Sequence, residues 1–140
     1  MMNRTRHMLH SLGQSMSFAK LSLEAKVLWP MLIAAVDDQG RFDADPQVVK
    51  WAVCPNVDEI ATANIPQLLQ EMVEQHMVLI YSNDERQYGQ LLNWWAYQTL
   101  SYARPSDYPA PPDWTDRVHI RKGNKWITKN WDEGGGFEDA

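Results

Sequence analysis

Cysteine is almost absent from this chain: Cys54 stands alone among 140 residues. That excludes an internal disulfide and any zinc site built on cysteines. Long apolar runs are missing as well. The longest, Val27 to Val36, carries Pro30 and falls far short of the roughly 20 residues that a membrane-spanning helix needs. No basic start leads into an apolar stretch with a small-residue cleavage site, so no secretory signal is expected. No glycine-rich phosphate loop is present, and the late Gly134-Gly135-Gly136 has no helix after it. No Ser/His/Asp or Cys/His arrangement has a setting for nucleophilic catalysis. His7 and His10 lie three apart, but with no acidic or cysteine partner nearby they read as part of an exposed arm rather than a metal site. Asp37-Asp38 lacks a third ligand at calcium-loop spacing and reads as a solvated turn. These absences lead us to expect a soluble cytoplasmic protein that is no enzyme, holds no cofactor or metal, and has no membrane partner.

What is present suffices for one core-forming domain: 44% of residues are hydrophobic and 22% charged. The formal net charge is −5, but it is unevenly spread. Residues 1–35 carry +3, residues 36–100 carry −7, residues 101–131 carry +3, and the tail from Asp132 carries four acids and no base. An acidic middle lies between two basic ends.

The patterning predicts four regions. Residues 1–15 form a flexible basic arm with Arg4 and Arg6. Residues 16–98 form an α+β domain of three helices and a β-hairpin. Ser22 is placed to cap the first helix, with Glu24 in its first turn. Leu23, Val27, Leu28, Met31, Leu32 and Ala35 recur at helical spacing, and Pro30 predicts a kink or break. Arg41-Phe42 reads as a short strand. Asp45-Pro46 starts a second helix that runs to about Val53. Thr62 or Asn64 caps a third, whose apolar stripe is Ile65, Leu68, Leu69, Met72 and Val73. A hairpin follows, with Val78 to Tyr81 as one strand, Ser82 to Arg86 as the turn, and Gln87 to Trp94 as the other strand. Leu28, Leu32, Val49, Leu68, Leu69, Met72, Ile80 and Leu91 are the expected core. Residues 99–131 hold a proline-rich strap (Pro105, Pro109, Pro111, Pro112) and a second hairpin turning at Gly123-Asn124. Residues 132–140 read as a disordered acidic tail.

Several segments are similar to those of one known group. Leu21 to Trp29 looks like its first helix. Asp37-Asp38-Gln39-Gly40-Arg41-Phe42 resembles its "DD-x-G-R-hydrophobic" turn. The run from Leu69 to Tyr81 is similar to its "L-x-x-L-x-x-x-G-L-I-x-x-Y" segment, with His76 in place of glycine. Leu92-Asn93-Trp94 with Gln98, then Pro105-Ser106, resembles its "I-x-N-F/W-x-x-H-Q … P-S" ending, with Tyr97 in place of histidine. The group is the N-terminal winged helix of phage and prophage replication proteins, the replication initiators and replisome organisers. The resemblance spans about residues 16–112. It implies a winged helix-turn-helix, a DNA-related role in replication or regulation, and the cytoplasm of a bacterial host cell as the place of action. Such initiators generally continue into a second domain that binds a helicase loader, whereas this chain runs on into a basic hairpin and an acidic tail.

In a winged helix the third helix enters the major groove. Asn64, Gln67 and Gln70 would point outward there and suit adenine edges. Glu71 and Glu74 face outward too, and Thr62 to His76 holds no lysine or arginine, so this helix alone should bind DNA poorly. The wing supplies Arg86. The larger cationic set follows position 100: Arg104, Arg117, His119, Arg121, Lys122 and Lys125, with Trp126 for stacking. If Gly123-Asn124 are the turn residues, Arg121 faces Trp126 and His119 faces Thr128. That basic–aromatic face suits phosphate and base contact, or it is a cross-strand pair that stabilises the hairpin. The expected partner is DNA. The competing class is a protein-interaction module, a replisome adaptor or a phage protein whose acidic surface meets a host or defence nucleic-acid-binding protein. Trp95, Trp114 and Trp131 would serve either as contact anchors or as packing for the strap. A homo-oligomer or a place in a larger complex fits both classes.

Overall fold

The computed structural model describes residues 5–98, 100, 103–120 and 125–130, with 118–120 and 125–130 given as backbone. Arg4, Arg121, Lys122, the Gly123-Asn124 turn, Trp131 and the tail 132–140 lie outside the described residues. The chain is α+β, and the described residues form five helices, a three-stranded antiparallel sheet and a separate two-stranded ladder.

After a 3₁₀ turn at Leu12–Gln14, helix α1 spans Met16–Ala19 and α2 spans Leu23–Ala35. Ser22 caps α2, its hydroxyl accepting from the Ala25 N–H at 3.2 Å. The helix is continuous through Pro30. Only one backbone bond is lost there, while Ala25, Leu28, Leu32 and Ile33 bury one face on both sides of the proline. Strand β1 (Arg41–Asp43) leads into α3 (Pro46–Val53), which starts as expected. The Asp45 carboxylate accepts from the Gln47 and Val48 N–H groups at 2.9 and 3.3 Å, and Pro46 occupies a position where no N–H is needed.

A 3₁₀ turn at Thr62–Asn64 precedes α4 (Ile65–Glu74), which buries Ile65, Leu68, Leu69 and Met72. Neither Thr62 nor Asn64 caps α4 by a side-chain bond, because the 3₁₀ turn runs directly into the helix and Pro66 in its first turn has no N–H to satisfy. The helix ends at His76, with φ 57°. The Met77 N–H bonds the Met72 carbonyl at 2.9 Å, and the His76 N–H bonds Val73 at 3.0 Å. This is a left-handed helix stop of the kind glycine usually makes, here carried by histidine.

Strands β2 (Val78–Asn83) and β3 (Arg86–Leu91) meet at a turn of just Asp84 and Glu85, both at positive φ (50° and 68°). The sheet order is β1-β3-β2, so the wing-like hairpin is backed by β1. Phe42 pairs with Gly89, where any Cβ would overlap the Phe42 ring. β3 ends at Leu91, short of the expected Trp94. Asn93 takes a left-handed conformation (φ 60°), and helix α5 (Trp94–Tyr97) turns Trp94 inward to donate its indole N–H to the Asp38 carbonyl at 2.8 Å. The expected core is inside, except that Ile80 on edge strand β2 is half-buried.

Residues 103–114 are an irregular strap, followed by β4 (Thr115–Ile120) and β5 (Lys125–Asn130). Their register places Ile120 opposite Lys125, His119 opposite Trp126 and Arg117 opposite Thr128. This differs by two residues from the register that a Gly123-Asn124 turn predicts. A slip of two leaves every residue on its original face, so alternation alone could not separate the two registers.

Candidate nucleic-acid interface

The turn between α2 and β1 holds the rest of the molecule together. Gly40 adopts φ +78°, and a Cβ there would approach the Trp94 ring at 2.8 Å. The sequence suggested a solvated turn, and the structure corrects this. Asp38, Gln39 and Arg41 are buried, because the strap crosses over them. Arg41 has no exposed surface at all. Its Nε donates to Gln90 Oε1 at 2.9 Å and its Nη1 to the Tyr108 carbonyl at 3.2 Å. Both of its amino nitrogens also reach the Asp116 carboxylate, Nη1 at 3.3 Å from Oδ2 and Nη2 on Oδ1. The Gln39 amide holds Arg117 by both backbone groups, accepting from its N–H at 3.1 Å and donating to its carbonyl at 2.6 Å. Asp38 accepts the Arg104 N–H at 3.0 Å, and Asp37 accepts the Ser106 hydroxyl at 2.5 Å. Burial pushes the Asp37 carboxyl above its ordinary range, although the Ser106 hydroxyl and the Arg41 backbone N–H pull the other way. Burial likewise raises Asp116 against the pull of Arg41. Tyr81 closes the strap further by donating to the Pro109 carbonyl at 2.5 Å, and burial raises its phenol.

The N-terminal segment, expected as an arm, ends on the same turn. Arg6 donates to the Val36 carbonyl at 3.0 Å, pairs with Asp38 at 3.2 Å and lies over the Trp94 ring at 5.6 Å. His7 and Gln98 exchange two bonds of 3.0 Å, backbone N–H to side-chain oxygen and side-chain nitrogen to backbone carbonyl. Among the described residues, no group of three His, Cys, Asp or Glu could hold a metal ion, and no helix is long and apolar enough to cross a membrane.

The residues singled out for DNA contact fall into three sets. Asn64, Gln67 and Gln70 are exposed along α4 and its entry. Glu71, which the sequence places outward, instead accepts the Ser22 N–H at 2.6 Å and the Ser22 hydroxyl at 2.8 Å, tying α4 to the start of α2. One carboxylate is thereby engaged within the protein, leaving Glu74 exposed on that helix. Arg86 is exposed beside the β2–β3 turn, in a groove it shares with Asp43, Asp45 and Glu85. Arg104 is exposed on the strap, while Arg117 lies with its guanidinium 5.0 Å from the Trp95 ring centroid. His119 stands opposite Trp126 in the ladder, and Lys125 is opposite Ile120. Arg121 and Lys122 fall outside the described residues.

The arrangement roots the start of β4 in the domain through Asp116 and Arg117. Sequence reasoning missed Gln39, Arg41, Gln90 and Asp116 as a buried polar set. Its one signal in the sequence was the Asp-Asp-x-Gly-Arg turn itself. The groove around Trp51 was missed as well. No family model, curated protein sequence or solved structure matches this chain.

Proposed function

We propose that this chain is a winged helix DNA-binding protein of the phage and prophage replication type, acting without catalysis. The observation that carries the reading is topological. The order α2–β1–α3–α4–β2–β3, with β1 laid beside β3, is the order of a winged helix, and it leaves a polar face of α4 exposed. On this reading α4 lies in the major groove with Asn64, Gln67 and Gln70 toward base edges. On the same reading phosphate neutralisation comes from Arg104, Arg121, Lys122 and Lys125, helped by Arg117, His119 and Trp126. Arg86 contributes less, because three carboxylates surround it.

The test is duplex binding at two salt concentrations, with Arg121, Lys122 and Lys125 replaced together by Ala. Deleting three phosphate-binding cations should lower the log–log salt slope by about three and weaken binding at low salt. Unchanged affinity and slope would remove this surface from the DNA-binding reading.

A further inference from the structure

Between α3 and the wing lies an open groove of about 860 Å³, lined by ten residues that include Asp43, Asp45, Val48, Trp51, Glu85 and Arg86. Its floor is unusual for a soluble surface. Trp51 is 79% exposed and Val48 40% exposed, one turn apart on the same helix. Among the described residues, no side chain stacks on Trp51. Three carboxylates rim the groove against one guanidinium, and Asp84 extends the negative edge at the turn. The cation of α3 itself, Lys50, is turned away and donates to the Val57 carbonyl at 2.7 Å.

We infer that this groove is a docking site for an extended, arginine-bearing peptide segment of a protein partner. Charge complementarity selects the occupant. A phosphate backbone would be repelled by Asp43, Asp45 and Glu85, whereas a guanidinium gains from a carboxylate and an indole face together. The molecule uses that same combination internally: Arg6 lies over Trp94 while pairing with Asp38. In the groove Trp51 is exposed and Glu85 stands at the rim, while Asp43 and Asp45, which also accept backbone N–H groups at the start of α3, add their negative charge. Val48 and the apolar flank of Trp51 suit an aliphatic residue next to the arginine. Size separates a peptide from a second copy of this chain, since stable dimer interfaces take some 20–30 residues a side and only ten line this groove. The site stands apart from the proposed DNA contacts except at Arg86.

The experiment uses the full chain labelled with ¹⁵N and follows the Trp51 indole N–H, assigned through Trp51→Phe. The probe is an acetylated hexapeptide of alternating arginine and leucine, with glutamate-for-arginine and lysine-for-arginine versions and a duplex DNA as comparisons. A saturable shift of Trp51 with the arginine peptide is expected, weaker with lysine and absent with glutamate. Trp51→Ala and the pair Asp43→Asn/Glu85→Gln should each weaken peptide binding at least tenfold. Trp51 and Glu85 are exposed, and Asp43 is half-buried but keeps an oxygen to accept the Asp45 N–H when changed to asparagine, so both variants should leave the fold intact. The Arg121/Lys122/Lys125 triple variant should bind the peptide unchanged, which keeps this test independent of the DNA reading. Equal peptide binding by Trp51→Ala would overturn the proposal. So would a Trp51 shift that follows only duplex DNA or only the concentration of the chain itself, the mark of self-association.

Discussion

Asp116→Ala removes the counter-charge of a guanidinium that has no exposed surface. Arg41 would keep its bonds to Gln90 Oε1 and the Tyr108 carbonyl, but two of its donors would face the gap left by the carboxylate. Breaking a buried pair from one side costs about 3–5 kcal/mol, because the remaining charge is stranded in a poorly solvated place. Set against a typical total stability of about 5–15 kcal/mol, that is a large share. With a urea slope of about 2 kcal/mol/M, the unfolding midpoint should fall by roughly 2 M. The loss should also be local. The Arg104 and Arg117 amides, held by Asp38 and Gln39, should exchange faster, since the strap is released before the core opens. Replacing both partners together, Arg41→Met with Asp116→Leu, should recover part of the stability, because no lone charge is then buried. If Asp116→Ala costs less than about 1 kcal/mol and leaves those two amides protected, the pair does not hold the strap and the reasoning fails.

Two further outcomes follow from the same geometry. Burial raises Asp37 above its ordinary value of 3.8, so between 3.8 and the raised value the folded chain holds a proton that the unfolded chain has released. Asp37 therefore adds stability as pH falls through that window and loses it as pH rises through the raised value; Asp37→Asn should flatten this component when wild type and variant are unfolded in urea across pH 3 to 7. His76→Gly removes a Cβ from a left-handed position, and the thermal midpoint should rise, corresponding to about 1 kcal/mol of relieved strain. A fall would mean that the imidazole makes a contact worth more than the strain.

The elements written in local chemistry were legible in the sequence. Asp45-Pro46 announces α3 by capping alone, and the four-residue recurrence of Ile65, Leu68, Leu69 and Met72 fixes the inward face of α4. What failed was long-range. Asp37-Asp38 resembles a solvated turn until a segment more than sixty residues later covers it, and nothing near Arg41 in sequence indicates Asp116 as its partner. Trp94 extends the apolar run of β3 on paper, but Asn93 reverses the chain and sends it inward to Asp38. Glu71 sits on the polar side of its helix by periodicity, yet Ser22 lies within its reach. The groove around Trp51 was hidden for the same reason. Helical periodicity does not show which residues of other elements stand beside Trp51, and only the packed structure sets it across a groove from Glu85 and Arg86.

The bonds from the Gln39 side chain to the strap and β4 join residues 65 and 78 positions apart, Gln39 to Arg104 and Gln39 to Arg117. Closing so long a loop carries an entropic cost that grows only slowly with length, but it must be met before any of those bonds form. The contacts among α2, α3, α4 and the β2–β3 hairpin are nearer in sequence and can assemble first. Arg41 and Gln39 would then wait, hydrated, at the surface of a nearly finished domain until the strap arrives. During biosynthesis this interval lasts at least as long as translation from β3 to Arg117. A chain that has emerged only as far as β3 would have its charged seam open to water.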